Sequence, residues 1–97
     1  MSNYNGLSDA ETERLAILVE ELGEALQAAG KILRHGYESE YTRTHQLPPN
    51  RDKLELELGC VRAAIIRMCM AGDLNKEAVH FHAAQKLTSQ AYLHHQG

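Results

Sequence analysis

Cysteine, proline and a surplus of either charge are all scarce in this chain, and each shortage removes a class of answer. Only two of the 97 residues are cysteine, Cys60 and Cys69, nine apart in one apolar stretch with helical periodicity. On a straight helix they cannot pair with each other, and their spacing is not that of a zinc finger, so a reduced, intracellular setting is expected. The only prolines are adjacent, Pro48-Pro49, at the end of a segment that they bias away from helix. The formal net charge is -3, without the basic excess of a protein that binds DNA or RNA. A small anionic ligand stays compatible with it, because a local basic pocket does not need a basic protein. No apolar run approaches the roughly 20 residues that cross a membrane, and no strand pattern competes with the helical one. The short polar stretch Met1-Ser2-Asn3-Tyr4-Asn5-Gly6 does not read as a signal peptide. The expectation is a cytoplasmic protein with no membrane partner.

What the chain does have is helical periodicity almost throughout. Residues 1–7 read as a loose arm. Ser8 and Glu11 make a capping box, and a first helix is expected from Asp9 to His35, stopped by Gly36. Leu15, Leu18, Leu22, Leu26, Ala29 and Leu33 recur at the helical period and form its expected core stripe. Gly23 interrupts this helix at a cost of about 1 kcal/mol relative to alanine, which suggests close approach of a helix or ligand, or else a tolerated glycine. Residues 37–49 read as a loop, either a lid over a ligand or a plain connection. Asn50 is the expected N-cap of a second helix over Arg51–Ala71, with Leu54, Leu58, Val61, Ile65 and Met68 as its stripe. Ala63, Ala64, Ile66, Cys69 and Met70 widen that stripe, so the second helix should be buried on more than one side. After Gly72, Asp73 is the expected cap of a third helix reaching about His95, with a weaker apolar face of Leu74, Ala78, Phe81, Ala84, Leu87 and Ala91. The predicted fold is all-α, a single domain over residues 1–97. It is an antiparallel bundle of three main helices, completed by oligomerisation because so short a chain leaves much apolar surface bare.

One phrase occurs twice. Glu21-Leu22-Gly23-Glu24 sits in the first predicted helix and Glu57-Leu58-Gly59-Cys60 in the second. Positions i and i+3 share a helix face, so Glu21 and Glu24 project together, and Glu57 projects with Cys60. Glu20 and Glu55 lie close by in sequence. Packed helices would crowd these acids on one seam, where they repel unless a cation neutralises them; Mg²⁺ suits hard oxygen donors and bridges to phosphates. Lys31 and Arg34 share a face about two turns beyond Glu24, with His35 next to them. A cationic patch beyond a metal site suits a polyphosphate. The same charges also describe a solvated helix face, which from spacing alone is the commoner meaning. His80 and His82 point to different faces, and His94 and His95 are expected at a helix C-terminus, where the helix dipole favours their protonated form.

The pattern Glu21-x-x-Glu24, then Glu57 at the head of a second motif, resembles the MazG-like family of all-α nucleoside triphosphate pyrophosphatases. Val19-Glu20-Glu21-Leu22-Gly23-Glu24-Ala25, Gly30-Lys31-Ile32-Leu33-Arg34-His35-Gly36, Asn50-Arg51 and His94-His95-Gln96 carry the resemblance, across roughly residues 12–96. They are similar to small stand-alone members often encoded by phages. The resemblance implies that Glu21, Glu24 and Glu57 are metal ligands and catalytic acids for Mg²⁺, or Mn²⁺ in its place. It implies hydrolysis of a nucleoside triphosphate to the monophosphate and pyrophosphate by water attacking the α-phosphorus. Lys31, Arg34, His35 and Arg51 would then hold phosphates and Tyr37 or Tyr41 would stack on the base, in a homodimer or homotetramer.

Cys60 departs from the family pattern, which has aspartate there. A thiol is a poor partner for Mg²⁺ and removes a negative charge, so metal affinity and hydrolysis should both fall. The alternative is that Cys60 is a small core residue, the commonest setting for a buried cysteine. Three readings follow, in order. The first is a nucleotide-binding protein with impaired hydrolysis, sequestering a phosphorylated signalling nucleotide as a phage counter-defence protein in the host cytoplasm. The second is a working Mg²⁺-dependent pyrophosphohydrolase. The third is an oligomerising helical module with a vestigial site.

Overall fold

In a computed structural model, residues 4–38, 49–89 and 93–96 are described. They form three helices and no strand: α1 (Asp9–His35), α2 (Asn50–Met70) and α3 (Lys76–Thr88). Residues 39–48, and with them Tyr41 and most of the expected loop, lie outside the described residues, as do residues 1–3 of the arm.

Helix α1 begins and ends where its sequence signals place it. The Ser8 hydroxyl accepts from the Glu11 amide at 3.1 Å, while Glu11 Oε1 accepts from the Ser8 amide at 2.8 Å. Two amides that the helix leaves without partners are thereby satisfied. At the other end Gly36 turns at φ +90°, a region that side-chain-bearing residues avoid, and its amide closes onto the Ile32 carbonyl.

The start of α2 differs from expectation. Pro49, not Asn50, is the N-cap, and Asn50 is the first helical residue. The Asn50 side chain is used across the chain instead. It is buried and donates to the Gly36 carbonyl at 3.1 Å. The Arg51 amide donates to the Tyr37 carbonyl at 2.8 Å. Together these bonds fasten the end of α1 to the beginning of α2. At the far end Arg14 grips Asp73 with two bonds of 2.5 and 2.9 Å. The two helices therefore run antiparallel, the start of α1 against the end of α2.

Asp73 is thus a partner of Arg14 and not the cap of α3. That cap is Asn75, whose side chain accepts from the Ala78 amide at 2.8 Å. Helix α3 stops at Thr88, so His94 and His95 lie beyond the helix and not in its last turn. None of its residues is buried; Phe81 and Leu87 are 56% and 71% exposed. Its expected apolar face is real as a pattern but finds nothing to pack on within the described residues.

The α1–α2 seam is lined by small side chains. Ala25 and Ala28 face Ala64 and Met68 in the buried core, with Glu57 and Asn50 buried beside them. Of the stripe expected on α1, Leu22, Leu26 and Leu33 are exposed, the last two by 75% and 89%. Leu58 of the α2 stripe is exposed as well. The helical period identifies apolar sides but not which side a neighbour takes. Alanine lets two backbones approach closely, so α2 settles on the alanine side and leaves the leucine side open. The chain exposes 7984 Å², against about 5,500 Å² for a closed monomer of its mass. Its radius of gyration is 17.2 Å, against about 13 Å for a compact domain of this length.

Candidate functional site

Antiparallel pairing lays the second Glu-Leu-Gly phrase against the first. Glu21, Glu57 and Cys60 meet so closely that one carboxylate oxygen from each acid and the Cys60 sulfur lie within 4.8 Å of one another. Glu57 is 4% exposed. Its Oε1 accepts from the Lys53 ammonium at 2.9 Å, one turn back on the same helix. Its Oε2 is buried and accepts nothing, and the same holds for Oε2 of Glu21. Buried carboxylate oxygens without a partner are uncommon, because each forfeits its hydration without replacement.

The titration behaviour follows from this crowding. A hydrogen bond to Glu57, reinforced by the charges of Glu57 and Glu21, raises the pKa of Glu24 above the ordinary carboxyl value. Glu57 shifts the other way, chiefly because Lys53 donates to it, with burial opposing. The crowding thus favours the protonated form of Glu24, while the Lys53 ammonium favours the ionised form of Glu57. Burial, then the charges of Glu21, Glu57 and Glu24, pushes the Cys60 thiol up.

Beside this cluster a cavity of about 390 Å³ is lined by Glu24, Gln27, Ala28, Lys31, Arg34, Lys53 and Glu57. Lys31 and Arg34 come from α1, about two and three turns past Glu24, and Lys53 reaches in from α2. Arg34 lies over Gly30, where a Cβ would stand 3.6 Å from its Nη1. The cavity joins three cationic side chains to two carboxyls on one wall. Such a wall takes a ligand with negative charge at one end and donors or a cation at the other.

The remaining sequence candidates lie elsewhere. Arg51 stands 4.4 Å over the Tyr37 ring and pairs with Glu38 at 2.7 Å, so both are engaged with each other at the base of the 39–48 segment. Neither Tyr37, Arg51 nor the exposed His35 lines the cavity. Glu20 and Glu55 are exposed and stand outside both the cavity and the three-residue cluster. Gly23 and Gly59 have nothing within 4 Å of where a Cβ would sit, so the close approach expected at Gly23 is not made by any described residue. Sequence reasoning missed Lys53 and Gln27. Lys53 was findable, since a lysine four residues before a candidate acid lies on the same helix face. Gln27 carries no charge pattern to mark it.

Set against protein-family models, curated proteins and solved structures, the chain matches none of them.

Proposed function

We propose that this chain binds a phosphorylated nucleotide and retains it with impaired hydrolysis. The observation that carries this reading is the cavity beside Glu24 and Glu57, where Lys31, Arg34 and Lys53 offer charge-assisted donors to phosphate oxygens. About 390 Å³ suits a small ligand. Mg²⁺ does not fit the cluster as it stands. That ion demands near-octahedral oxygen ligands, and one corner of the Glu21–Glu57–Cys60 set is sulfur. Retention therefore takes precedence over turnover. Encoded by a phage, such a protein would draw a host's phosphorylated signal out of circulation in the cytoplasm.

Self-association belongs to the same reading. Leu22, Leu26 and Leu33 form an apolar side on α1 that is remote from the cavity wall, and a second copy would cover it. A standard interface covers about 800 Å² per partner, and these leucines would supply its apolar centre. A homodimer would cover them, and a homotetramer would cover α3 as well.

The test is incubation of the pure protein with a panel of nucleotides, with Mg²⁺ or Mn²⁺, reading both pyrophosphate and retained ligand. Stoichiometric retention without pyrophosphate supports sequestration. Removing Lys31 and Arg34 together should weaken retention at least about 10-fold, as expected for lost hydrogen bonds to a charged ligand. Turnover that falls in Glu24→Gln would favour the alternative, a Mg²⁺-dependent pyrophosphohydrolase. No retention of any nucleotide would leave only a helical module.

A further inference from the structure

We infer that Glu21, Glu57 and Cys60 form a binding site for a thiophilic divalent cation of the zinc type. Three observations converge on it. The donor atoms already cluster within 4.8 Å. Zinc binds sulfur at about 2.3 Å and carboxylate oxygen at about 2.0–2.2 Å, so donors at tetrahedral angles on one ion stand about 3.3–3.7 Å apart. Rotation of the two glutamate side chains, by about 1 Å at their oxygens, closes the difference. Second, the side chain of Glu57 is 6% exposed and its Oε2 is unpartnered, as is the buried Oε2 of Glu21. These oxygens have given up water and gained no cationic partner, which a cation between them would repair. Third, the donor chemistry selects the ion. Two carboxylates and one thiolate reject Mg²⁺ and suit Zn²⁺ or Co²⁺, which accept mixed oxygen and sulfur sets.

The charge count agrees. Cys60 gives its thiol proton to water as the metal–sulfur bond forms, so the ligands carry three negative charges against two on the ion. The remaining negative charge faces the Lys53 ammonium at 2.9 Å from Glu57. Three protein ligands leave a fourth tetrahedral corner for water or another oxygen donor, as in zinc sites that are not purely structural. Glu57 is the one residue that belongs to both the cluster and the cavity lining. The metal site stands on the seam alone and holds whether or not the cavity takes a nucleotide.

The experiment titrates the full-length, chelator-treated, reduced chain with Zn²⁺ or Co²⁺ alone, in nucleotide-free buffer. One equivalent of Co²⁺ per chain should bring up a near-ultraviolet sulfur-to-cobalt charge-transfer band, which Zn²⁺ displaces and excess Mg²⁺ does not. Cys60→Ser should abolish the band and lower Zn²⁺ affinity by about 100-fold or more. Glu57→Gln should lower it too, while Cys69→Ser leaves both readouts intact. Circular dichroism of each variant establishes that it is folded. A band that survives Cys60→Ser, or vanishes in Cys69→Ser, overturns the assignment, and so does the absence of any band in the unaltered chain. Failure here removes the thiolate site and leaves the phosphate cavity to its own nucleotide test.

Discussion

Two sides of α1 differ in a way that hydrophobicity does not anticipate. The side against α2 carries Ala25, Ala28 and Glu21, while the outer side carries Leu22, Leu26 and Leu33. The less apolar side is the buried one. Alanines bring the backbones close enough for carboxylates from both helices to meet, and the leucines are left exposed among the described residues. A seam chosen for burial alone would have used the leucines and would have no reason to enclose Glu57. The contrast teaches that helix approach follows the small side chains and the acids beside them, and that it leaves the leucines of the outer side exposed.

The most forceful way to break the contrast is to charge the outer side. In Leu22→Glu with Leu26→Glu, each substitution removes an apolar side chain worth about 1.5–3 kcal/mol when fully buried and puts a charge in its place. The unaltered chain should sediment as a dimer or larger at micromolar concentration, and the double variant as a monomer. An unaltered chain that already sediments as a monomer would show that the leucine side is simply tolerated by solvent.

The seam is tested next, by a change that leaves the outer side alone. Met68 is 3% exposed, the most enclosed of the core side chains. Met68→Ala should cost about 2–5 kcal/mol in chemical denaturation, as large-to-small core changes do. The same truncation at Met70, which is 83% exposed, should cost little if the seam is where a chain's stability resides. Equal losses at the two positions would mean that Met70 is buried in an assembly, and the leucine-side variant then separates the two effects.

How much of this was legible in the sequence divides along the same line. The capping box of Ser8 and Glu11, the Gly36 stop and the all-helical character were readable because they depend on neighbours a few residues apart. The convergence of Glu21 with Glu57 was readable as an expectation, since two copies of one phrase on antiparallel helices can meet. The buried side of α1 was not readable, because periodicity fits the leucine side better and only close helix approach favours the alanines. Nor were the tasks of Asn50 and Asp73. Each is a good helix cap locally, and each is taken instead by a residue far away in sequence, Gly36 and Arg14. The length of α3 was overestimated for a related reason: its pattern continues past Thr88, but none of the helix's residues is buried against another described element.

The smallest expected effect concerns Asp73, the clasp where α2 hands over to α3. Hydrogen bonding from the Arg14 guanidinium, opposed by burial, holds the Asp73 carboxyl below its ordinary value. A carboxyl whose pKa is lowered by folding contributes stability above its unfolded value, near pH 4, and that contribution is lost as pH falls through the folded value. Asp73→Asn should therefore melt below the unaltered chain at neutral pH, by a modest margin that narrows as the solution is acidified beneath the carboxylate range. A margin that stayed constant across that range would mean the clasp acts through its shape and not its charge. The leucine side carries no titrating group of this kind, so acid should loosen the α1–α2 clasp and leave unaffected any contact made through the leucines.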